Sequence, residues 1–474
     1  MSKLTKTTLA SLALAGLSAF CSSAAFAAMT VDSNGGLEVF ELDNSDYWFK
    51  IGGRLHLNQS FYDGSDENRS NFPNGAMIRS ARLSFKGGVG HAWVYKLDVD
   101  FVDSASSRPI GTTSNLDPRA PGTVSVNSST GVRFGEAFIG YNGCENLWFA
   151  LGQVSTPFGM ESWTSANDSA FIESSMPSQA FDMGLGIGVY AEWHNSLFTV
   201  AGAVYLPQAG STQYGDVISP NGILPGTGPN GSDPGSDPVG YAARVTFSPL
   251  HDDYTVYHFG ISGRYQNLHD NANVHNLYSG MEIRSRQTPE VFTNIPLNST
   301  NHFTIWGFES AGRWGPFIVA GEYMLSKVDR DSRYPTVTDL RHPAGSFNYH
   351  GYYVMASYVI TGETKEYDFT SGTFGRVHPT SRKGAWEVLL RHSYLNLLDN
   401  NGVVPGVIPV GSTVVSSLPG GVDPNVIVGS GHSTVVGLNW WVNDHVRFLA
   451  NYGKMTFSNS VRINALGLKA VVNW

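Results

Sequence analysis

Hydrophobic and polar residues alternate along most of this chain with a period of two. From Trp48 onward, Phe49, Ile51, Leu55, Leu57 and Phe61 fall on one face, and Lys50, Arg54, His56, Asn58 and Ser60 on the other. Ala81, Leu83 and Phe85 alternate with Arg82, Ser84 and Lys86; Tyr95, Leu97, Val99 and Phe101 alternate with Lys96, Asp98 and Asp100. Tyr257, Phe259, Ile261 and Tyr265 alternate with His258, Ser262 and Arg264. Successive side chains of a strand point to opposite faces, so the pattern predicts strands with one greasy and one wet side. Sixteen such runs begin near residues 47, 76, 93, 132, 147, 185, 197, 239, 256, 302, 316, 347, 384, 432, 446 and 461. Most span roughly 10–14 residues, long for a sandwich strand and suited to a tilted strand crossing a bilayer. In a soluble sandwich the greasy face would form the core; in a barrel set in lipid it forms the outside.

The connections separate the two cases. Short ones at 88–92, 142–146, 194–196, 312–315 and 443–445 alternate with long ones at 104–131, 156–184, 207–238, 269–301, 329–346 and 398–431. Short periplasmic turns, long external loops and an even strand count describe a bacterial outer-membrane barrel. Two connections break the alternation: 361–383 is a long turn on the periplasmic side, and 458–460 a short external one. The expected fold is therefore all-β, a transmembrane antiparallel β-barrel of sixteen strands over 47–474, with both ends on the periplasmic side. The loops at 207–238 and 398–431 are rich in Gly, Pro, Ser, Asn and Val, and strands resume on both sides of them, so they read as surface loops and not as linkers. Leu466, Leu468, Ala470, Val472 and Trp474 alternate up to a final aromatic.

The first residues look like an export signal. Lys3 and Lys6 precede an apolar run from Leu9 to Phe20, and Ala25-Phe26-Ala27 fits a small-x-small cleavage pattern. This assigns 1–27 to a signal peptide and 28–46 to an N-terminal periplasmic segment. Phe20 is too bulky for a lipidation site at Cys21, and cleavage leaves Cys144 alone in a turn, so no internal disulfide is expected. No apolar run of 18 residues follows, which excludes helical spans. The net charge of −9 gives no electrostatic footprint for nucleic acid. Phosphate-loop and dinucleotide patterns are absent, the fourteen histidines are scattered, and no cluster has metal-ligand spacing, so neither a cofactor nor a metal is expected. Asp98-x-Asp100 is two residues of one strand face. A barrel enzyme is the catalytic rival to a channel, separated by a liposome-leakage assay beside a hydrolase screen, and a barrel working through its loops as an adhesin or anchor is the non-channel rival, separated by single-channel conductance.

Several stretches resemble the phosphate-selective porin O/P family. Trp48-Phe49-Lys50-Ile51-Gly52-Gly53-Arg54-Leu55 is similar to its first strand, and Arg79-Ser80-Ala81-Arg82-Leu83-Ser84-Phe85-Lys86-Gly87 to its arginine-bearing second strand. Gly152-Gln153-Val154-Ser155-Thr156-Pro157-Phe158-Gly159-Met160-Glu161 resembles the approach to its third loop. Thr361-Gly362-Glu363, Gly372-Thr373-Phe374-Gly375-Arg376-Val377 and Gly384-Ala385-Trp386-Glu387 resemble its late segment. The likeness runs over nearly the whole exported chain. It implies a homotrimer, a pore narrowed by an inward-folded third loop over 156–184, and a precedent for the long turn at 361–383. An outer-membrane porin of this kind has lipid and lipopolysaccharide, the barrel-assembly machinery and small hydrophilic solutes or ions as its partners.

On the wet faces, Lys50, Arg54, Arg82, Lys86, Lys96, Arg244, Arg264 and Arg391 are candidates to line the pore and meet the solute. Each has a second reading, as a lumen cation paired with an acid such as Asp98, Asp100, Glu192, Glu322 or Glu387. The family tends to carry lysine where Ser155 and Asn167 stand, and arginine where Ser80 and Ser174 stand. Moreover, no lysine or arginine occurs from Phe134 to Ala243, 110 residues that hold ten acids. The constriction loop thus offers Ser155, Glu161, Asp168 and Glu173, with Asp182 beyond, and no positive charge. Residue content predicts a pore acidic on the loop side and basic on the strand side, passing small solutes broadly; the resemblance predicts one that prefers phosphate or another small anion.

The terminal alternation resembles the last-strand signal read by the assembly machinery, and an interfacial aromatic also anchors a barrel rim. Deleting Trp474 is expected to reduce the amount of folded protein in the outer membrane, and Trp474→Phe to restore it. Heat-modifiable migration of membrane fractions reads both; wild-type accumulation of the deletion would refute the signal.

Overall fold

The computed structural model describes residues 29–32, 37–41, 47–64, 74–102, 132–182, 184–207, 239–267, 277–284, 292–293, 300–330, 345–399, 427–457 and 462–474. The expected signal segment and much of the external loops lie outside the described residues. Sixteen long strands form the wall: β1 (Tyr47–Gly64), β2 (Gly75–Val89), β3 (Trp93–Asp100), β4 (Arg133–Cys144), β5 (Leu147–Ser155), β6 (Leu185–His194), β7 (Phe198–Pro207), β8 (Gly240–His251), β9 (Thr255–Asn267), β10 (Thr300–Trp314), β11 (Phe317–Arg330), β12 (Gly345–Val359), β13 (Ala385–Asn396), β14 (Ser430–Trp441), β15 (Val446–Phe457) and β16 (Arg462–Asn473). Each begins within two residues of its expected start. All neighbours are antiparallel, and β16 closes on β1 from Ile463 opposite Gly64 to Asn473 opposite Arg54. Trp474 continues the seam, its N–H donating to the Gly53 carbonyl at 3.0 Å. The closed sixteen-stranded antiparallel barrel is thus the fold. Within the expected periplasmic segment 28–46, Met29–Asp32 pairs with Leu37–Glu41, which in turn pairs with Trp48–Ile51 of β1.

The two faces sort by chemistry. Leu151, Ile139, Val189 and Phe259 stand exposed on the outside, whereas His56, Asn58, Ser60, Arg244, Arg264 and Glu387 are buried within the lumen. The inversion relative to a soluble sandwich is what lipid as external solvent demands. One irregularity moves a charge. The β1–β2 register slips between His56 and Leu57, leaving Arg79 as the extra residue between Ser80 and Ile78. A bulge breaks the period of two; Ile78 stays outside, and Arg79 reaches Glu173 of the third loop.

Three segments fold inward. The third loop carries two short helices, α1 (Met160–Trp163) and α2 (Met176–Phe181). Residues 277–284 of the loop after β9 descend beside it. From the opposite rim, the turn after β12 forms a hairpin of Lys365–Asp368 and Thr373–Val377. Phe158, Phe171, Phe181, Met176, Leu277 and Ile283 join wall residues such as Phe303, Met324 and Leu389 in one buried apolar cluster. The lumen side is aqueous, so water exclusion drives this packing as it does a soluble core, each fully buried side chain contributing on the order of 1.5–3 kcal/mol.

Close approach to β16 occurs at Gly467, where an added Cβ would sit 2.7 Å from the Ile283 side chain and 2.8 Å from that of Ile172. Gly467→Val is therefore expected to leave the barrel closed while pushing both inward segments off the wall, at a cost of roughly 1–3 kcal/mol. Single-channel recording should show a larger or noisier conductance with unchanged heat-modifiable migration; an unaltered trace would show that the packing at β16 does not set the opening.

Candidate functional site

Besides its apolar packing, the third loop is held by ion pairs and hydrogen bonds to the wall. Glu322 of β11 accepts from the backbone N–H of Met160 at 3.1 Å and of Glu161 at 2.7 Å, and from the Tyr353 hydroxyl at 2.7 Å. A carboxylate at the free N–H groups that open a helix is favourable. Gly159 makes the approach possible: its φ is 69°, and a Cβ there would lie 2.7 Å from Glu322 Oε2. Glu161 turns away from the pore. It accepts from the Ser175 hydroxyl at 2.6 Å and backbone at 3.0 Å, and pairs with Arg391 at 2.8 Å. Fully buried Arg391 also meets Glu282 at 3.0 Å, donates to the Glu173 carbonyl at 3.0 Å, and stacks 4.3 Å from the Phe171 ring. Glu282 is completed by Ser393, Ser433 and the Met176 N–H.

Glu173 and Asp168 are likewise bound to cations from outside the loop. Glu173 accepts from Arg79 at 2.8 and 3.1 Å, lies 3.7 Å from Arg284, and accepts from Asn58. Asp168 pairs with Arg376 of the periplasmic hairpin at 3.0 Å. The expectation of an acidic loop face is corrected here. Glu161, Asp168 and Glu173 point toward wall and hairpin cations, because a loop that fills a charged lumen must satisfy its carboxylates against the surface it covers.

Three predicted cations serve the same framework. Arg264 donates to the Phe181 carbonyl at 2.7 Å and lies 5.3 Å from the Phe158 ring. Arg244 pairs with Glu309 at 2.7 Å, donates to the Ser371 and Gly372 carbonyls of the hairpin, and lies 5.1 Å from the Trp163 ring. With Arg391 these are buried on β8, β9 and β13 and tie the inward segments down. The hairpin is further fastened by the Lys365–Glu387 pair at 2.8 Å and by Arg313, which donates to the Lys365 carbonyl. In the turn itself burial pushes the Glu363 carboxyl up, but hydrogen bonds from Thr361 and Thr380 outweigh it and hold the group below the ordinary carboxylate value.

The other predicted cations come together. Lys50, Arg54, Arg82, Lys86 and Lys96, on β1–β3, line a cavity of about 710 Å³. Facing them is the third loop's hydroxyl-bearing stretch, Ser162, Trp163, Thr164, Ser165 and Asn167, with Ser155 where β5 runs into the loop. Arg376 adds a sixth cation, against two lining acids, Asp98 and Glu136. Arg82 reaches Asp98 at 3.2 Å and Asp100 at 3.3 Å; Lys96 meets Asp98 at 3.4 Å and bonds Glu136. Arg54 donates to the Ser80 hydroxyl at 3.0 Å. Among the described residues neither Arg54 nor Lys86 has an acid within ion-pair distance. His56 and Asn167 bridge wall to loop at 3.1 Å.

Sequence reasoning missed several contributors, among them Glu282, Glu309, Arg313 and Lys365. Arg79 needed the bulge to turn inward. Arg376 and Arg284 come from connections, where the alternation says nothing. Buried Lys469 of β16, which donates to the Ile172 carbonyl at 3.1 Å, stood on a legible wet face.

Comparisons with known proteins agree with this fold. The model of the family described as phosphate-selective porin O and P matches residues 49–466. Porin O of Pseudomonas aeruginosa is 26% identical over 443 residues, 90% of this chain and 86% of that protein. An uncharacterized protein of Caulobacter vibrioides is 21% identical over 401 residues, 81% of this chain and 64% of that protein. Among solved structures, an anion-selective porin from Comamonas acidovorans superposes with a TM-score of 0.50 at 9% identity, covering 90% of this chain and 100% of that one; this likeness concerns the fold.

Removing one partner of a buried ion cluster leaves the others unpaired at a cost of roughly 3–5 kcal/mol. Arg391→Met keeps volume and discards the charge, so Glu161 and Glu282 are stranded. The variant is expected to unfold at lower temperature and to flicker between conductance levels. Thermal melts and single-channel traces matching wild type would show that the cluster does not hold the loop.

Proposed function

The chain belongs to the phosphate-selective porin O and P family, and from that premise we propose that its channel prefers small anions of the phosphate class over cations. As a porin of this family it forms a channel through the bacterial outer membrane. The observation that carries the anion preference is the lining of the 710 Å³ cavity, six cations against two acids, in which Arg54 and Lys86 stand beyond ion-pair distance of any described acid. Charges in a narrow, partly dehydrated passage act several-fold more strongly than in bulk water, about 4 kcal/mol against about 1 kcal/mol at 4 Å for effective dielectrics of 20 and 80. Lys50, Arg54, Arg82, Lys86 and Lys96 form the basic wall in this reading, and Ser155 with the loop hydroxyls supplies neutral donors opposite. Neutral Ser155, Asn167 and Ser174 make binding weaker than in relatives with lysine and arginine there, which suits passage more than capture.

The proposal extends to biogenesis and assembly. The chain is made with the signal peptide 1–27, carries 28–46 on the periplasmic side, is inserted by the barrel-assembly machinery among lipid and lipopolysaccharide, and works as a homotrimer. Solutes move by diffusion, with neither catalysis nor a cofactor; the water-accessible cavity favours this over an adhesin acting through its loops.

Block of chloride current by phosphate tests the anion reading. Arg54→Gln with Arg82→Gln removes two lining cations and strips Asp98 and Asp100 of a partner. A loss near 1.4 kcal/mol corresponds to about tenfold weaker block. Ser155→Lys with Asn167→Lys is expected to strengthen block. Unchanged block in both variants would mean that these positions do not face the conducting path.

A further inference from the structure

The outside of the barrel is not uniform. On β6 the outward residues Leu185, Ile187, Val189, Ala191 and Trp193 run apolar over nine residues, as do Phe198 to Leu206 on β7. At roughly 3.3 Å per residue and about 40° of tilt this is a belt of about 20 Å. On β13 the apolar outward series is Trp386, Val388 and Leu390, and His392 and Tyr394 follow. On β14, Trp440, Leu438 and Val436 give way to Thr434 and His432; on β15, Phe448, Ala450 and Tyr452 give way to Lys454. By the same measure the belt here is about 10 Å, against the ~25 Å typical of outer-membrane barrels. The shortfall lies entirely toward the external rim, since Trp386, Trp440 and Phe448 stack at the periplasmic one.

Donors fill the shortfall. The His392 and His432 rings lie 6.2 Å apart, and His392 bonds the Thr434 hydroxyl at 2.9 Å. His350 stands 5.8 Å from Tyr394 and 6.3 Å from Tyr323, and Tyr352 stands 6.3 Å from His392. His392, His432 and Lys454 are exposed. Among the described residues no acid faces outward on β12–β15. Among the described residues, Asp399 just beyond β13 accepts from the Asn348 N–H, and Asp329 on β11 is engaged by Lys327 at 3.4 Å and His302 at 3.1 Å.

We propose that this face of β12–β15, at the external margin of the apolar belt, docks the phosphate-bearing head group of an outer-leaflet glycolipid. The proposal rests on the outer-membrane reading above. An ammonium and two imidazoles set among hydroxyls, at a depth where hydrocarbon would leave them unpaired, need an anionic acceptor that comes down from the head-group layer. The flat Tyr and His rings between them offer packing surfaces to sugar. A neighbouring copy would present its own largely apolar belt and leave these donors unsatisfied.

The test uses the full-length exported protein in phosphatidylcholine nanodiscs doped with diphosphorylated lipid A or its dephosphorylated form, with retained lipid counted by native mass spectrometry. Wild type is expected to retain the phosphorylated form selectively. His392→Gln, His432→Gln and Lys454→Gln together should weaken retention about tenfold, the loss of roughly one charge-assisted contact. Equal retention by the triple variant, or of the dephosphorylated lipid by wild type, overturns the proposal. If the triple variant does not assemble, wild type decides alone: equal retention of the phosphorylated and dephosphorylated lipid overturns the site. Conductance is recorded on the same samples, and a protein that retains the lipid selectively but conducts nothing supports the docking site while refuting the channel reading.

Discussion

The guanidinium of Arg391 is the point on which the interior depends. It is sealed from water, paired with Glu161 of the third loop and Glu282 of the descending segment, and stacked on Phe171. An ion in that position is costly unless its charge and hydrogen bonds are met together. Two loops that are distant in sequence supply one carboxylate each, so neither can leave without stranding the cation. Glu322 at the start of α1 and Arg264 at the end of α2 extend the same logic to the loop's two ends.

This has a consequence for the open space. Carboxylates that anchor a loop to a basic wall are not available to the solute. Buried apolar contacts and ion pairs fill the lumen beside β9–β16, and the inward hairpin covers part of β7–β10. Among the described residues an opening lies on the side of β1–β5, where Lys50, Arg54, Arg82, Lys86 and Lys96 stand on the wall and hydroxyls face them from the loop. An acidic loop and a basic passage are therefore compatible, because architecture takes up the acid.

Strand positions and faces were legible because lipid on one side and water on the other impose the period of two over long runs. Parity also told that Arg244, Arg264 and Arg391 point inward. It could not tell that they are covered, since their partners Glu309, the Phe181 carbonyl, Glu161 and Glu282 are brought together only by closure of the barrel. Arg79 escaped because a bulge shifts parity by one residue, and Arg376 because a turn has no parity. The loop acids were visible in composition, but which way a carboxylate turns is a tertiary fact.

The central claim is that loop carboxylates serve the framework and leave a net basic path. The reversal potential of the unmodified channel in a potassium chloride gradient tests it most directly. The account predicts the sign of a chloride-preferring pore at neutral pH; a potassium-preferring pore would contradict it, because it would mean that Glu161, Asp168 and Glu173 still govern the field seen by ions.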